Sequence, residues 1–219
     1  MSTNGQKITH ATYEDPEIIE GYIKRNATNP KQKDLIIAFA KNISGKRVFD
    51  LGCGPGHDSY IFSELNFHVI GLDFSKEMIR RAQTLKNVEN KPRFIVGDMT
   101  KLNEYFTENA FDAIWASASL LHIPLTDISK TIEGMTHISK SGTKIYVGLK
   151  GGNTENTFLV DEDKYGKSMQ REFTFWTKEG FLKEVAPYGW KLEQFTSREG
   201  SLSMGQPTQW LNFFFKVQK

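Results

Sequence analysis

Val48-Phe49-Asp50-Leu51-Gly52-Cys53-Gly54-Pro55-Gly56 carries an apolar, β-branched and aromatic run straight into three alternate glycines. The run has the make-up of a buried strand and the residues after Gly56 have helical period, so the glycines turn the chain from a strand into a helix. In an open α/β sheet, ligands collect beyond the carboxyl ends of the strands. Glycine there lets the backbone take positive φ and approach a ligand closely. The bland alternative is a tight connector with no ligand. Two familiar ligands are disfavoured. A dinucleotide fingerprint needs glycine at its first, third and sixth positions, and the sixth residue from Gly52 is His57. A phosphate-cradling loop ends in Gly-Lys-Ser/Thr, which is missing. An acidic residue at the strand end suits a ligand bearing an ammonium group, and alternate glycines suit one that lies along the backbone without a pyrophosphate.

Working outward, apolar runs alternate with stretches of helical period, which predicts a parallel sheet covered by helices. Leu35, Ile36, Phe39, Ala40 and Ile43 mark a helix before the first strand. After the loop come a helix over 57–65, a strand over 67–72 and a helix that Ser75 caps, with Met78, Ile79 and Ala82 inward. A strand over 93–96, an irregular helix near 101–106 and a strand over 111–116 follow. A helix starting at Pro124 or Leu125 turns inward with Ile128, Ile132 and Met135, and Ser141-Gly142 leads into a strand over 143–149. Thr177 caps a last helix carrying Phe181, Leu182 and Val185, which Pro187 stops. Strands over 190–195 and 209–217, separated by the turn-rich 198–207, form a closing hairpin. Between 150 and 175 the pattern fails. A connection of that length in a compact domain is expected to be a lid or binding element.

Bulk properties set limits. The 219 residues suit one large domain, and 28 basic against 26 acidic side chains give a formal charge of +2 without a single-sign block. That balance recommends a small ligand over a nucleic-acid or membrane surface. The first twenty residues lack the apolar core of a secretory signal, and no run approaches the length of a bilayer span. Cys53 is the only cysteine, so an internal disulfide and a cysteine zinc cluster are excluded and a cytoplasmic location is expected. His10, His57, His68, His122 and His137 are scattered without metal-ligand spacing, so no metal is expected.

With these segments in order, residues 47–149 resemble the class I S-adenosylmethionine-dependent methyltransferases. The resemblance implies one Rossmann-like α/β domain, with a mostly parallel seven-stranded sheet of order 3-2-1-4-5-7-6, strand 7 antiparallel, and helices on both faces. Asp50, Gly52, Cys53, Gly54 and Gly56 match the first motif, which lies along the methionine part of the cofactor. Asp73, with Phe74, matches the acidic residue that holds both ribose hydroxyls, and a carboxylate can accept two hydroxyl hydrogen bonds at once. It follows Gly52 at close to the roughly 20-residue offset at which an acidic residue reads ribose in dinucleotide folds. Asp98 and Met99 correspond to the adenine site, and Ala116 to the strand end flanking the cofactor. Alone, an Asp after a strand is more often a turn or cap; order and spacing make the case. The implied cofactor is S-adenosylmethionine, its product S-adenosylhomocysteine.

The acceptor is less constrained. Ser117-Ala118-Ser119-Leu120 stands where amino-group methylation of adenine or glutamine uses Asn/Asp-Pro-Pro-Tyr. Cytosine-carbon methylation needs a cysteine nucleophile, and Cys53 lies inside the cofactor loop. Nucleic-acid acceptors are therefore disfavoured and a small-molecule acceptor is expected. His122 is a candidate base or orienting group, against packing or capping as the alternative. Tyr13 and Tyr22, in a leader over residues 1–29 that precedes the domain at 30–219, are candidates to close over a sulfonium or to anchor the leader. Tyr165, Arg171 and Trp176, in the insertion at 150–176, are candidates for the acceptor pocket or for a helix-entry staple. An RNA or protein methyltransferase, a noncatalytic binding module and an aminopropyl transferase use the same fold.

Overall fold

The computed structural model describes residues 3–26, 29–203 and 206–219. Strands β1 (Arg47–Leu51), β2 (His68–Asp73), β3 (Arg93–Val96), β4 (Phe111–Ser117) and β5 (Ser139–Gly151) lie parallel in the order β3-β2-β1-β4-β5. The chain winds one way from β1 to β3 and then returns to the other side of β1, which puts a crevice between the carboxyl ends of β1 and β4.

Alternation along each strand feeds two cores. Val48, Val69 and Ala113 pack on one face against Ile36 and Phe39 of α3 (Pro30–Ala40) and Phe62 of α4 (His57–Glu64). Phe49, Leu51 and Ile114 pack on the other against Ile132 and Met135 of α7 (Ile128–Ile138) and Phe181 of α8 (Lys178–Val185). The caps are where the sequence puts them. Ser75 accepts from the Met78 amide at the start of α5 (Lys76–Thr84), and Thr177 accepts from Gly180 at the start of α8.

Nine strands, rather than seven, make up the described sheet. The closing hairpin, β8 (Trp190–Ser203) and β9 (Gln206–Val217), supplies the expected last two: β9 runs antiparallel to β5 and β8 pairs with β9. Its arms extend through most of the stretch expected to be turn, and 204–205 lie outside the described residues. The other two strands overturn the expected loop. β6 (Asn156–Lys164) and β7 (Lys167–Trp176) form a hairpin closed by Tyr165 and Gly166, with φ 60° and 84°, as a two-residue I′ turn requires. Period 2 is present but masked, because the inward positions include Glu162 and Arg171 beside Val160, Met169 and Phe173. A further correction concerns α7, which starts at Ile128 rather than at Pro124 or Leu125, because Pro124–Asp127 close a turn of their own in which the Asp127 amide donates to the Pro124 carbonyl at 2.9 Å.

Hairpin placement matters for the site. β9 covers one edge of β5 along Lys144–Gly151, and β4 covers the other as far as Gly148. β7 therefore joins at Lys150 and Gly151 on the β4 side, above the carboxyl end of β4. Two leader helices, α1 (Asn4–Thr12) and α2 (Pro16–Asn26), lie across this end. Thr9 Oγ1 accepts from the Glu172 amide and Thr12 Oγ1 donates to the Gln170 carbonyl, while Ser75 Oγ donates to the Tyr13 carbonyl. The leader thus bridges the hairpin and the loop after β2.

Candidate active site

A cavity of about 660 Å³ opens at the crevice. Gly52 and Gly54 form its floor with φ of 75° and 51°, a region L side chains rarely adopt. A Cβ on Gly52 would collide with Ser119, whereas a Cβ on Gly54 would meet nothing within 4 Å and would project into open space. The loop backbone is held by β2: the Gly52 and Cys53 amides donate to the Leu72 carbonyl at 2.8 and 3.0 Å.

Asp73 fixes the next wall. Its Oδ2 accepts from the Gly54 amide and its Oδ1 from the Ser75 amide, both at 2.9 Å. Burial pushes its carboxyl up to about 6 against the pull of those two amides. Phe74, Met78, Val96, Gly97, Asp98 and Met99 continue the lining. Asp98 caps the following turn, accepting from the Thr100 amide and hydroxyl at 2.9 and 2.8 Å.

Of the ten residues that the sequence assigns to a cofactor, Gly52, Gly54, Asp73, Phe74, Asp98 and Met99 face this cavity. Asp50, Cys53, Gly56 and Ala116 stand behind the wall. Asp50 and Cys53 are buried, Gly56 starts α4 with φ 85°, and Ser117, Ala118 and Ser119 line the cavity where Ala116 was expected.

The far end brings the leader, the turn after β4 and the hairpin together. Tyr13, Tyr22, His122 and Ile123 line it, joined by Gln6, Lys7, Thr9 and His10 of α1. Hydrogen bonds link the layers. The carbonyl of Glu172, which can only accept, lies 2.9 Å from His122 Nδ1, so Nδ1 carries the proton and Nε2 presents its lone pair to the Tyr13 hydroxyl at 3.0 Å. Arg171 Nη1 donates to the same hydroxyl at 2.6 Å. Behind it, Arg171 Nε donates to Glu162 at 2.9 Å and Nη2 pairs with the same carboxylate. Lys164 also pairs with Glu162, and Lys150 Nζ lies 3.9 Å from it.

These contacts set the charges. Burial, reinforced by the nearby Arg171 cation, depresses His122 to about 3, so the ring is neutral near pH 7. Burial raises Tyr13 to about 12 and lowers Lys150 to about 8. Tyr165 does not line the cavity but packs on Tyr22, ring centroids 5.4 Å apart, and on the Arg171 guanidinium. Trp176 lies away from the site against Phe181. Sequence reasoning missed Lys150, Glu162, Ser117 and Ser119: a buried charge or hydroxyl has the same letter as an exposed one. Among the described residues no group of three or more His, Cys, Asp or Glu could hold a metal, and no helix is long and apolar enough to cross a membrane.

Comparison with known proteins matches residues 42–188 to a family described as a methyltransferase domain. Phosphoethanolamine N-methyltransferase of Triticum aestivum is 23% identical over 151 residues, covering 68% of this chain and 29% of that protein. Demethylmenaquinone methyltransferase of Renibacterium salmoninarum is 30% identical over 113 residues, 52% of this chain and 45% of that one. The chain spans under a third of the length of the phosphoethanolamine methyltransferases it matches. In fold it is similar to magnesium protoporphyrin IX methyltransferase of Synechocystis, solved with S-adenosylmethionine bound, at TM-score 0.72 and 14% identity over 99% of each chain.

Proposed function

Because the chain belongs to the methyltransferase-domain family, we propose that it transfers a methyl group from S-adenosylmethionine to a small-molecule acceptor. One observation carries this reading: Gly52-Gly54, Asp73-Phe74 and Asp98-Met99, far apart in sequence, converge on one cavity whose other end holds Tyr13 and His122. The open cradle above Gly54 fits a ligand laid along the backbone. In this assignment Gly52 and Gly54 bear the methionine part, Asp73 accepts from the ribose hydroxyls, and Asp98 and Met99 meet the adenine. Asp50 acts from behind on the ammonium group, while Cys53, Gly56 and Ala116 shape the wall. When bound, the cofactor supplies an electrophilic methyl carbon on a sulfonium.

What the chain's own residues do is align the acceptor and exclude water. We assign residues 1–29 as a cap on the domain at 30–219, and the hairpin within 150–176 as a lid. A roof formed by α1 and the hairpin favours an acceptor of small-molecule size over a polymer. Arg171 holds the Tyr13 hydroxyl towards His122, with Tyr165 and Tyr22 packed beside it. A base works best with a pKa near the operating pH, and His122 at about 3 lies well below it. The geometry therefore favours Tyr13 and His122 as groups that orient the acceptor. A cytoplasmic setting belongs to the same reading, supported by a lone cysteine.

The test is formation of S-adenosylhomocysteine over a panel of small acceptors. Turnover with at least one acceptor, lost in Asp73→Ala, is the expected result. Methylation of tRNA or protein instead, with no small acceptor used, would refute the acceptor class. His122→Asn separates the roles: an orienting residue costs about tenfold or less, whereas loss of a general base costs about 10²–10⁴-fold.

A further inference from the structure

Ser117, the last residue of β4, and Ala118 and Ser119 after it form the stretch of cavity wall that leads from β4 to His122. Ala118 sits at φ 55°, in the left-handed region that a side chain disfavours, with its amide donating to the Gly148 carbonyl at 3.1 Å. Such strain persists only where the surrounding structure fixes it, and it gathers at sites that bind or react. The strained residue is followed by a serine in an unusual state. Ser119 occupies the N-cap of the turn Leu120–His122, yet its backbone, at φ −111° and ψ −51°, is helical rather than extended, and its side chain makes no capping bond. Ser75, extended at φ −80° and ψ 120°, shows the ordinary use of a serine in that place, its hydroxyl accepting from the Met78 amide. The Ser119 hydroxyl is released from that use.

Packing decides where it goes instead. Ser119 is 4% exposed, lines the cavity and lies beside the glycine loop: a Cβ on Gly52 would stand 2.3 Å from Ser119 Cβ and 3.2 Å from its Oγ. Its hydroxyl has no hydrogen-bond partner among the described residues. The polar groups around it are committed. Ser117 Oγ accepts from Gln32 Nε2 at 2.9 Å, Tyr13 and His122 bond to each other, and Asp50, buried behind the wall, accepts from Ser59 Oγ at 2.5 Å. Buried polar atoms in native proteins are nearly always satisfied, and an orphaned one carries the desolvation cost of its group. The Ser119 hydroxyl therefore marks the place of a polar ligand group.

We propose that Ser119 is a cofactor-binding residue whose hydroxyl bonds directly to the amino-acid part of S-adenosylmethionine. The inference rests on the reading of the cofactor as S-adenosylmethionine. Gly52, beside which Ser119 packs, bears the methionine part in that reading, whereas Asp73 and Asp98 meet the ribose and the adenine. A hydroxyl donates once and accepts twice, so it serves a carboxylate as donor and an ammonium as acceptor. Asp50 then acts on the same part through its charge from behind the wall, and Ser119 supplies the contact. The strained turn at Ala118 holds the hydroxyl in place for it.

Titration calorimetry of the full chain compares S-adenosylhomocysteine with 5′-methylthioadenosine, which keeps the adenosine and lacks the amino-acid part. The affinity of the second is read by titrating S-adenosylhomocysteine into protein preincubated with it. Ser119→Ala should weaken S-adenosylhomocysteine by about 10–100-fold, as expected for a hydrogen bond to a charged group, and leave 5′-methylthioadenosine within about twofold of wild type. The variant should unfold at the same temperature as wild type or higher, because it removes a buried hydroxyl that has no partner among the described residues. A serine that served the fold would lower the unfolding temperature and weaken both ligands alike. A loss of S-adenosylhomocysteine affinity below about tenfold, or equal weakening of the two ligands, would overturn the proposal and leave the cofactor reading standing. No binding of S-adenosylmethionine or S-adenosylhomocysteine to the wild-type chain would overturn both.

Discussion

The two ends of the cavity are built differently. At the glycine loop the geometry belongs to the backbone: positive φ at Gly52 and Gly54, amides tied to Leu72 and Asp73, all on adjacent strands of one parallel sheet. At the other end it belongs to side chains contributed by three distant segments, with Tyr13 from the leader, His122 from the turn after β4, and Arg171 and Glu162 from the hairpin. A backbone site is specified locally and tolerates little change. A side-chain site can be rebuilt by altering a hairpin or a leader while the sheet stays as it is, which fits one fold serving many acceptors.

That contrast breaks most visibly at Arg171. Its pairing with Glu162 is almost fully buried, with side-chain exposures of 6% and 4%, so Arg171→Met should destabilise the chain by about 3–5 kcal/mol in urea unfolding, as expected for removing one partner of a buried pair. The double change Arg171→Met with Glu162→Met should recover much of that loss. Equal stability of the single variant and wild type would show that the roof contributes nothing to folding.

Next in size, Asp73→Asn should weaken S-adenosylhomocysteine binding by about 100-fold, because hydrogen bonds to a charged acceptor contribute about 1.5–3 kcal/mol each. Its unfolding free energy should change less than that of Arg171→Met. An Asp73→Asn chain that loses more stability than Arg171→Met yet binds normally would reverse the assignment of the two ends.

The pH dependence sharpens the comparison further. His122 is depressed from 6.5 to about 3, so the unfolded chain takes up a proton below pH 6.5 that the folded chain refuses. Stability from this group is present above pH 6.5 and lost as pH falls towards 3. Thermal unfolding of His122→Asn should therefore decline less steeply from pH 7 to pH 5 than that of wild type. Asp73 runs the other way: its carboxyl is raised from 3.8 to about 6, so its contribution is present below 3.8 and lost as pH rises through 6. Parallel unfolding curves for wild type and His122→Asn would show that the ring titrates freely. Smallest of all, Ser75→Ala removes the cap of α5, which accepts from the Met78 amide at 3.0 Å, and should cost about 1 kcal/mol.

The same contrast explains what could be read from the sequence. β1, the glycine loop and Asp73 form one contiguous signal of strand, turn, helix and strand, and they stand in the fold where that signal puts them. Both caps, Ser75 and Thr177, were legible for the same reason. The hairpin was not. Its alternation passes through Glu162 and Arg171, buried only because they pair with each other across the ladder, and pairing is invisible in one dimension. Its I′ turn uses Tyr165-Gly166 where Asn-Gly would have announced it. Tyr13 and His122 were legible as residues of interest, but the bond between them joins positions 109 residues apart.

The central claim is that Gly52–Gly54 and Asp73 hold S-adenosylmethionine, and direct calorimetric titration tests it. Saturable, one-to-one binding of S-adenosylmethionine and S-adenosylhomocysteine, weakened by about 100-fold in Asp73→Asn, is the predicted result. The absence of binding heat for both ligands in the folded wild-type chain, or undiminished affinity in Asp73→Asn, would contradict it.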